Sequence, residues 1–204
     1  MEKLPTVYDN FFFQAKATCF RAMRGCRNSV DQINKWPCDL RSGGGVLLAE
    51  SRSLLWDHSA PHAEKILQAG KVQNLRSASR ALDGCRVPAN RQFSFWSQIG
   101  RPGRLRGYVQ GRELRQGCMI PSIGGGLCQL SNALFACALQ AGFAIHERHA
   151  HTRAIPGSMT ESGQDATVFW NYVDLRFSSR RGFRVGSIMT AADLIVRLWT
   201  CDEP

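Results

Sequence analysis

Several common signatures are missing from this 204-residue chain, and each absence closes off a class of function. Its eight cysteines, at positions 19, 26, 38, 85, 118, 128, 137 and 201, form no CxxC pair. A zinc ribbon or thioredoxin-like redox motif is therefore not expected, and reduced thiols fit better than the disulfide framework of a small secreted protein. No HExxH stands in the chain, so His146, His149 and His151 lack metal-site spacing, and neither metal nor cofactor is expected. No apolar run approaches the ~20 residues of a membrane span. The first ten residues lack the basic, apolar and small-residue order of an export signal, and cytoplasmic residence is the default expectation. Aromatic residues are not interleaved with the basic run in the pattern of any recognisable RNA-binding module, so nucleic acid is not expected as a partner.

What is present is ordinary for a globular protein: 44% hydrophobic and 21% charged residues, enough chain for one sizeable core. The charge is less ordinary. A formal net charge of +10 is carried mostly by arginine, and Arg101, Arg104, Arg106, Arg112 and Arg115 crowd one stretch. Such a field attracts anions, including phosphorylated precursors, carboxylate-bearing peptides and anionic lipid.

Directly after that stretch comes Ile120-Pro121-Ser122-Ile123-Gly124-Gly125-Gly126-Leu127-Cys128-Gln129-Leu130-Ser131-Asn132. Three glycines can take positive φ and let backbone approach a ligand. Behind them Leu127, Leu130, Leu134, Cys137, Ala138 and Ala141 recur at helical spacing. A glycine turn thus delivers Cys128 onto the first turn of a helix, where free N–H groups and the helix dipole favour a thiolate. Cys128 is the candidate nucleophile and the most acidic thiol expected. Ser131, Asn132 and Phe135 share its face, as a cleft lining would. The plain alternative is a tightly packed helix with Cys128 as a small apolar filler.

Elsewhere the pattern reads as α+β, a glycine-turn-to-helix segment on a mainly antiparallel sheet with a helical N-terminal segment. Residues 1–59 form an accessory segment and 60–204 the main domain. Between Phe11 and Arg27 a helix places Phe11, Phe12, Ala15, Cys19, Ala22, Met23 and Cys26 on one arc, with Lys16, Arg21, Arg24 and Arg27 off it. That arc is expected to dock on the main domain. The alternative is a weak contact of residues 11–27 with an anionic membrane surface. Trp36 to Gly45 reads as a linker, Ala60 to Leu82 as a helix broken near Gly70, and Phe93 to Trp96 as a short strand. Residues 106–114 read as loop. Phe143 to Ile145 starts a strand that would point His149 and His151 to one side. Thr167 to Phe177 is the clearest strand, with Asp174 and Arg176 on its polar face, and Leu194 to Trp199 closes the chain as another.

A cysteine acyl transferase or hydrolase needs a thiolate, a base that can return the proton, and a group that orients the base. In chain order Cys128, then His149 or His151, then Asp165 offer those parts. The residues alone leave the choice of histidine open.

The chain resembles the VanW family, through Val72-Gln73-Asn74-Leu75, Leu82-Asp83-Gly84, Phe93-Ser94-Phe95-Trp96, Gly107-Tyr108-Val109, Gly124 to Asn132, Glu147-Arg148-His149-Ala150-His151, Asp165-Ala166-Thr167-Val168 and Asn171 to Phe177. The resemblance implies a link to glycopeptide resistance. It also implies, from larger exported members, L,D-transpeptidase-like chemistry through the cysteine of Gly-Gly-Gly-x-Cys-Gln, which falls on Cys128. On the same grounds His151 is the expected base, His149 the alternative base, and Asp165 the orienting acid. Gly124, Gly125 and Gly126 are expected to form the oxyanion turn, and Gln129, Ser131, Asn132, Arg112, Arg115 and Arg148 to bind substrate. The expectation is a cysteine acyl transferase or peptidase acting on a cell-wall peptide stem. The rival is a non-catalytic module that binds an anionic peptidoglycan precursor. Thr152 stands where many members have serine, and the missing export signal sits uneasily with a wall cross-linker.

Overall fold

A computed structural model describes residues 7–39, 44–115, 118–150 and 165–201 of the chain. Its frame is a four-stranded antiparallel sheet, in the order β1 (Leu47–Leu54), β9 (Asp193–Thr200), β8 (Phe183–Met189) and β2 (Cys85–Val87). The closing strand expected at residues 194–199 is β9, and Leu194, Val196 and Leu198 on it are fully buried. Their alternation is what a half-buried strand requires. Helix α4 (Cys128–Gln140) packs on β1 and β9. The apolar stripe expected for it is buried at Leu127, Leu130, Leu134, Cys137 and Ala138. Helix α2 (His62–Leu82) packs on β8 and on β4 (Gln110–Arg115). The α+β expectation holds, with three antiparallel sheets among the described residues: the second is β3 (Gln92–Ser94), β7 (Arg176–Ser178) and β6 (Ala144–Glu147), and the third is the hairpin of β4 with β5 (Cys118–Ile123).

Local expectations fail in instructive places. Helix α2 runs unbroken through Gly70, and the position needs glycine because a Cβ there would overlap the carbonyl oxygen of Gln110. Glycine weakens a helix interior by roughly 1 kcal/mol relative to alanine. Here it lets β4 lie directly against the helix backbone. Residues 106–114, read as loop, contain most of β4, whose partner strand β5 includes Pro121. Phe95 and Trp96, read as strand, begin the short helix α3 (Phe95–Ile99), capped by the Ser94 side chain accepting from Ser97 N–H at 3.1 Å.

The clearest expected strand, 167–177, is strand only at its end. Phe169 and Val173 bond each other's backbone across a tight turn, and β7 starts at Arg176. Asp174 and Arg176, expected on a polar outer face, are almost completely buried. Arg176 Nε donates to Asp174 Oδ2 at 2.9 Å, and Ser94 Oγ donates to the same oxygen at 2.7 Å. Burial pushes the Asp174 carboxyl up, and these donors oppose the rise. A satisfied buried ion pair can look like an outward polar face in sequence.

Helix α1 (Val7–Val30) is docked, but with the opposite face from the one expected. Ala15, Cys19, Ala22, Met23 and Cys26 are exposed, whereas Ala17 and Arg24 are buried. Arg24 reaches both oxygens of Glu147, at 2.5 and 2.6 Å, and donates to the Tyr172 carbonyl at 2.6 Å. Arg21 Nε donates to Trp170 O at 3.0 Å, Arg176 donates to Asn28 and to Asp31, and the Phe20 ring stacks on Tyr172. The receiving surface is carboxylate and carbonyl, so the arginine side of α1 is the side that fits. The side chains of Phe11 and Phe12 lie outside what the structure describes.

Candidate functional site

The site is built around the end of the β4–β5 hairpin. After Ile123 the chain turns through Gly124 at φ 80 and Gly126 at φ 95, both left-handed conformations that a side chain resists. Gly125 between them needs glycine for another reason. A Cβ on Gly125 would run into the Gly111 carbonyl, and one on Gly111 into the Gly125 carbonyl. The two backbones touch.

Asn74, fully buried on α2, clamps this contact. Its Nδ2 donates to Val109 O at 3.0 Å and to Gly125 O at 2.9 Å, while its Oδ1 accepts from Val109 N–H at 2.8 Å. Gly124 N–H donates to Val109 O and Gly125 N–H to Ser122 O, so those two glycines shape the turn with their own N–H groups. Of the three glycines expected to hold an oxyanion, Gly126 is the one whose N–H donates to no described residue.

Cys128 is the first residue of α4 and is partly exposed, as the sequence led us to expect. Its electrostatics are not as expected. Burial pushes the thiol pKa up, the nearby carboxylates of Glu113 and Asp165 add to the rise, and the thiol donates to Val168 O at 3.8 Å, a bond only its neutral form can make. At rest Cys128 is a neutral thiol, because desolvation and two neighbouring negative charges outweigh what the helix start offers.

The polar face of α4 proves to be a clamp for residues 165–168. Ser131, fully buried, donates to Ala166 O at 2.5 Å, and Asn132 Oδ1 accepts from Ala166 N–H at 2.7 Å. Gln129 Nε2 donates to Ser53 Oγ at 2.9 Å and to Leu54 O at 2.8 Å, tying the helix start to β1. These three side chains, expected on substrate, hold the protein to itself. Arg148 likewise donates through Nε to Asp165 O at 2.6 Å and through Nη2 to Asp165 Oδ1 at 3.1 Å, with its guanidinium over the Phe135 ring. Asp165 is thereby fixed, almost fully buried, beside the cysteine.

Of the two histidines, His151 lies outside the described residues. His149 is exposed, and its Nε2 meets Glu147 Oε1 at 3.2 Å, within the network that holds Arg24. Arg112 is half-buried on β4. Arg115 pairs with Cys118 at the strand end, and its side chain lies outside what the structure describes. Arg106 is exposed and donates to the carbonyls of Arg101 and Ile99. An open cleft of about 640 Å³, lined by Gly70, Gln73, Tyr108, Val109, Gln110 and Ile123 among others, lies against the hairpin and does not include Cys128.

Residues 70–199 match a family model described as VanW like protein. The chain belongs to the VanW family. The match takes in α2 from Gly70 onward, the hairpin, the glycine turn and nearly all of β9. Among curated VanW-like relatives, the vancomycin B-type resistance protein VanW of Enterococcus faecalis is 32% identical over 133 residues, covering 64% of this chain and 48% of that protein. An uncharacterized protein of Bacillus subtilis, YoaR, is 36% identical over 110 residues, covering 54% of this chain and 36% of that protein. The chain thus spans half or less of these relatives' length. No solved structure matches it. No described helix of this VanW-family chain is long and apolar enough to cross a membrane.

Three residues of the site escaped sequence reasoning: Asn74, Lys71 and Glu113. Asn74 left a readable trace, a polar residue one turn after Gly70 amid the apolar positions Val72, Leu75 and Ala78. Lys71 and Glu113 left none, since only the hairpin brings them to the glycine turn.

Proposed function

We propose that this VanW-family chain transfers acyl groups through Cys128, acting on a cell-wall peptide stem. One observation carries the reading: a cysteine opens a helix straight after a glycine turn, with the Asp165 carboxylate held beside it by Arg148. Cys128 gives its proton to a base, with His151 in that role and Asp165 orienting it, and the sulfur attacks the substrate carbonyl carbon. The carbonyl oxygen takes the negative charge and is held by Gly126 N–H and the helix start. Collapse of the intermediate breaks the C–N bond, and the leaving amine takes the proton. A thioester remains, which an acceptor amine or water then cleaves. Because the thiol proton is engaged with Val168 O at rest, substrate entry must displace that bond before attack.

Intact-protein mass spectrometry with a stem peptide ending in a D-amino acid tests this. The expected product is wild-type protein heavier by the donor minus its leaving residue, and no gain for Cys128→Ala. The raised thiol pKa favours a second reading, a non-catalytic module that binds an anionic peptidoglycan precursor. Absence of any adduct, with saturable binding that survives Cys128→Ala, selects that reading.

We also propose that the outward arc of α1 rests on an anionic membrane surface. Met23 and Val30 are 62% and 81% exposed there, Lys16 and Arg27 flank them, and residues 15–30 contain no acidic side chain. Cosedimentation with vesicles rich in phosphatidylglycerol, lost in Met23→Glu and absent with phosphatidylcholine alone, is the expected result. Equal sedimentation of wild type and variant removes the proposal.

A further inference from the structure

The cation that the acyl-transfer reading does not use is Lys71. It follows Gly70 on α2, and three glycines let its stem slot into the site. Gly70 lies against the Gln110 carbonyl, Gly111 against the Lys71 backbone nitrogen, and Gly126 against the Lys71 Cβ and Cγ. A Cβ at Gly126 would occupy the space of that stem. The side chain of Lys71 is therefore packed under the glycine that turns the chain into Cys128.

Lys71 is 9% exposed and forms no hydrogen bond or ion pair with any described residue. Lysine is rarely buried to this degree without a partner. Its neighbour in charge is Arg112, a second cation, and the opposing carboxylate of Asp57 is turned to the Ser59 N–H and hydroxyl, at 3.0 and 2.5 Å. Burial and the Arg112 guanidinium together bring the ammonium down to about 8. Two adjacent cations, one of them stripped of water, repel each other, and the exposed Asp57 carboxylate, which faces both, offsets this only in part.

We propose that Lys71 and Arg112 form a subsite for an oxyanion of the substrate, a carboxylate or a phosphate, beside the glycine turn. The subsite rests on the acyl-transfer reading for its purpose but not for its existence. It places an anionic group of the substrate at α2 and β4 while the acyl carbon lies at Cys128. Arginine supplies a planar fork for the oxyanion and lysine a point charge.

The test uses the full chain as Cys128→Ala, which cannot be acylated, and two probes: inorganic phosphate and a stem peptide with a free C-terminal carboxylate. Trace acetylation at pH 8, read by peptide mass spectrometry, reports each lysine separately. A bound probe is expected to slow modification of Lys71 at least about fivefold, with the exposed Lys35 and Lys65 unchanged. Lys71→Met and Arg112→Gln, checked for unaltered melting, are each expected to weaken probe binding at least about tenfold. Protection by the peptide alone identifies a carboxylate, and protection by phosphate alone identifies a phosphate. Protection by neither, or equal affinity in both variants, overturns the subsite. If Cys128→Ala binds but wild type forms no thioester, acyl transfer fails and the subsite stands. If thioester forms as fast in Lys71→Met as in wild type, the subsite fails alone.

Discussion

Helices α1 and α4 each carry an apolar and a polar face, yet α4 lays its apolar face on the sheet while α1 docks with its polar one. The receiving surfaces explain the difference. Under α4 lie β1 and β9, which bring the buried side chains of Ala49, Leu194, Val196 and Leu198 to the core, so Leu130 and Leu134 gain on the order of 2 kcal/mol each by leaving water. Under α1 lie Glu147, Tyr172 and Arg176, and only a partner bearing arginine, asparagine and aspartate can satisfy them. Amphipathicity says that a helix has two faces. The surface it meets decides which face is covered.

The strongest way to break the comparison is to remove a leucine from the α4 side. Leu134→Ala is expected to cost about 3 kcal/mol of global stability, read as a lowered urea midpoint with an unchanged slope. A loss below about 1 kcal/mol would mean that the sheet does not depend on α4. Next comes the clamp beside Cys128. Asn132→Ala leaves Ala166 N–H without its acceptor and is expected to cost about 1 to 3 kcal/mol. Hydrogen exchange at residues 165–168 should accelerate more than at β9. Uniform acceleration would show that no local clamp exists.

Arg24→Met is expected to act differently, freeing α1 to proteolysis while moving the core midpoint little. The same docking should depend on acid. Burial alone would raise the Glu147 carboxyl, but the Arg24 bonds, the Asp174 N–H and Arg176 hold it below the ordinary range. A lowered carboxyl stabilises the fold above its unfolded value and stops doing so as pH falls through the folded one. Protection of α1 against protease should therefore fade below about pH 4, where glutamate titrates. Protection unchanged at pH 3 would assign the docking to Phe20 and Ala17 instead. The smallest effect is chemical. The exposed Cys19 and Cys26 of α1 should alkylate at pH 7.5 ahead of Cys128, about tenfold or more, because Cys128 is less exposed and its burial and two nearby carboxylates disfavour the thiolate. Faster reaction at Cys128 would restore the thiolate expected from its helix start.

Much of the central segment was legible because its signals are local. Three glycines before a 3.6-residue apolar stripe fix a turn, a helix and the place of Cys128 with reference only to residues 120–141. The family was legible too, through motifs on both sides of that turn. What the residues could not give was the purpose of their polar neighbours. Ser131, Asn132, Gln129 and Arg148 look like contacts for a ligand, and in the fold they hold residues 165–168 and β1 in place. A donor reads alike in sequence whichever acceptor it meets.

By itself, then, the sequence determined the α+β class, the glycine turn, the buried stripe of α4 and the position of one cysteine at a helix start, all consequences of backbone freedom and hydrophobic period. Tertiary structure decided the rest. It ran β4 against Gly70, brought Asn74, Lys71 and Glu113 to the turn, raised the thiol pKa of Cys128, and turned α1 over. Those outcomes depend on distances between segments far apart in the chain, and burial and charge act through such distances, which no local pattern records.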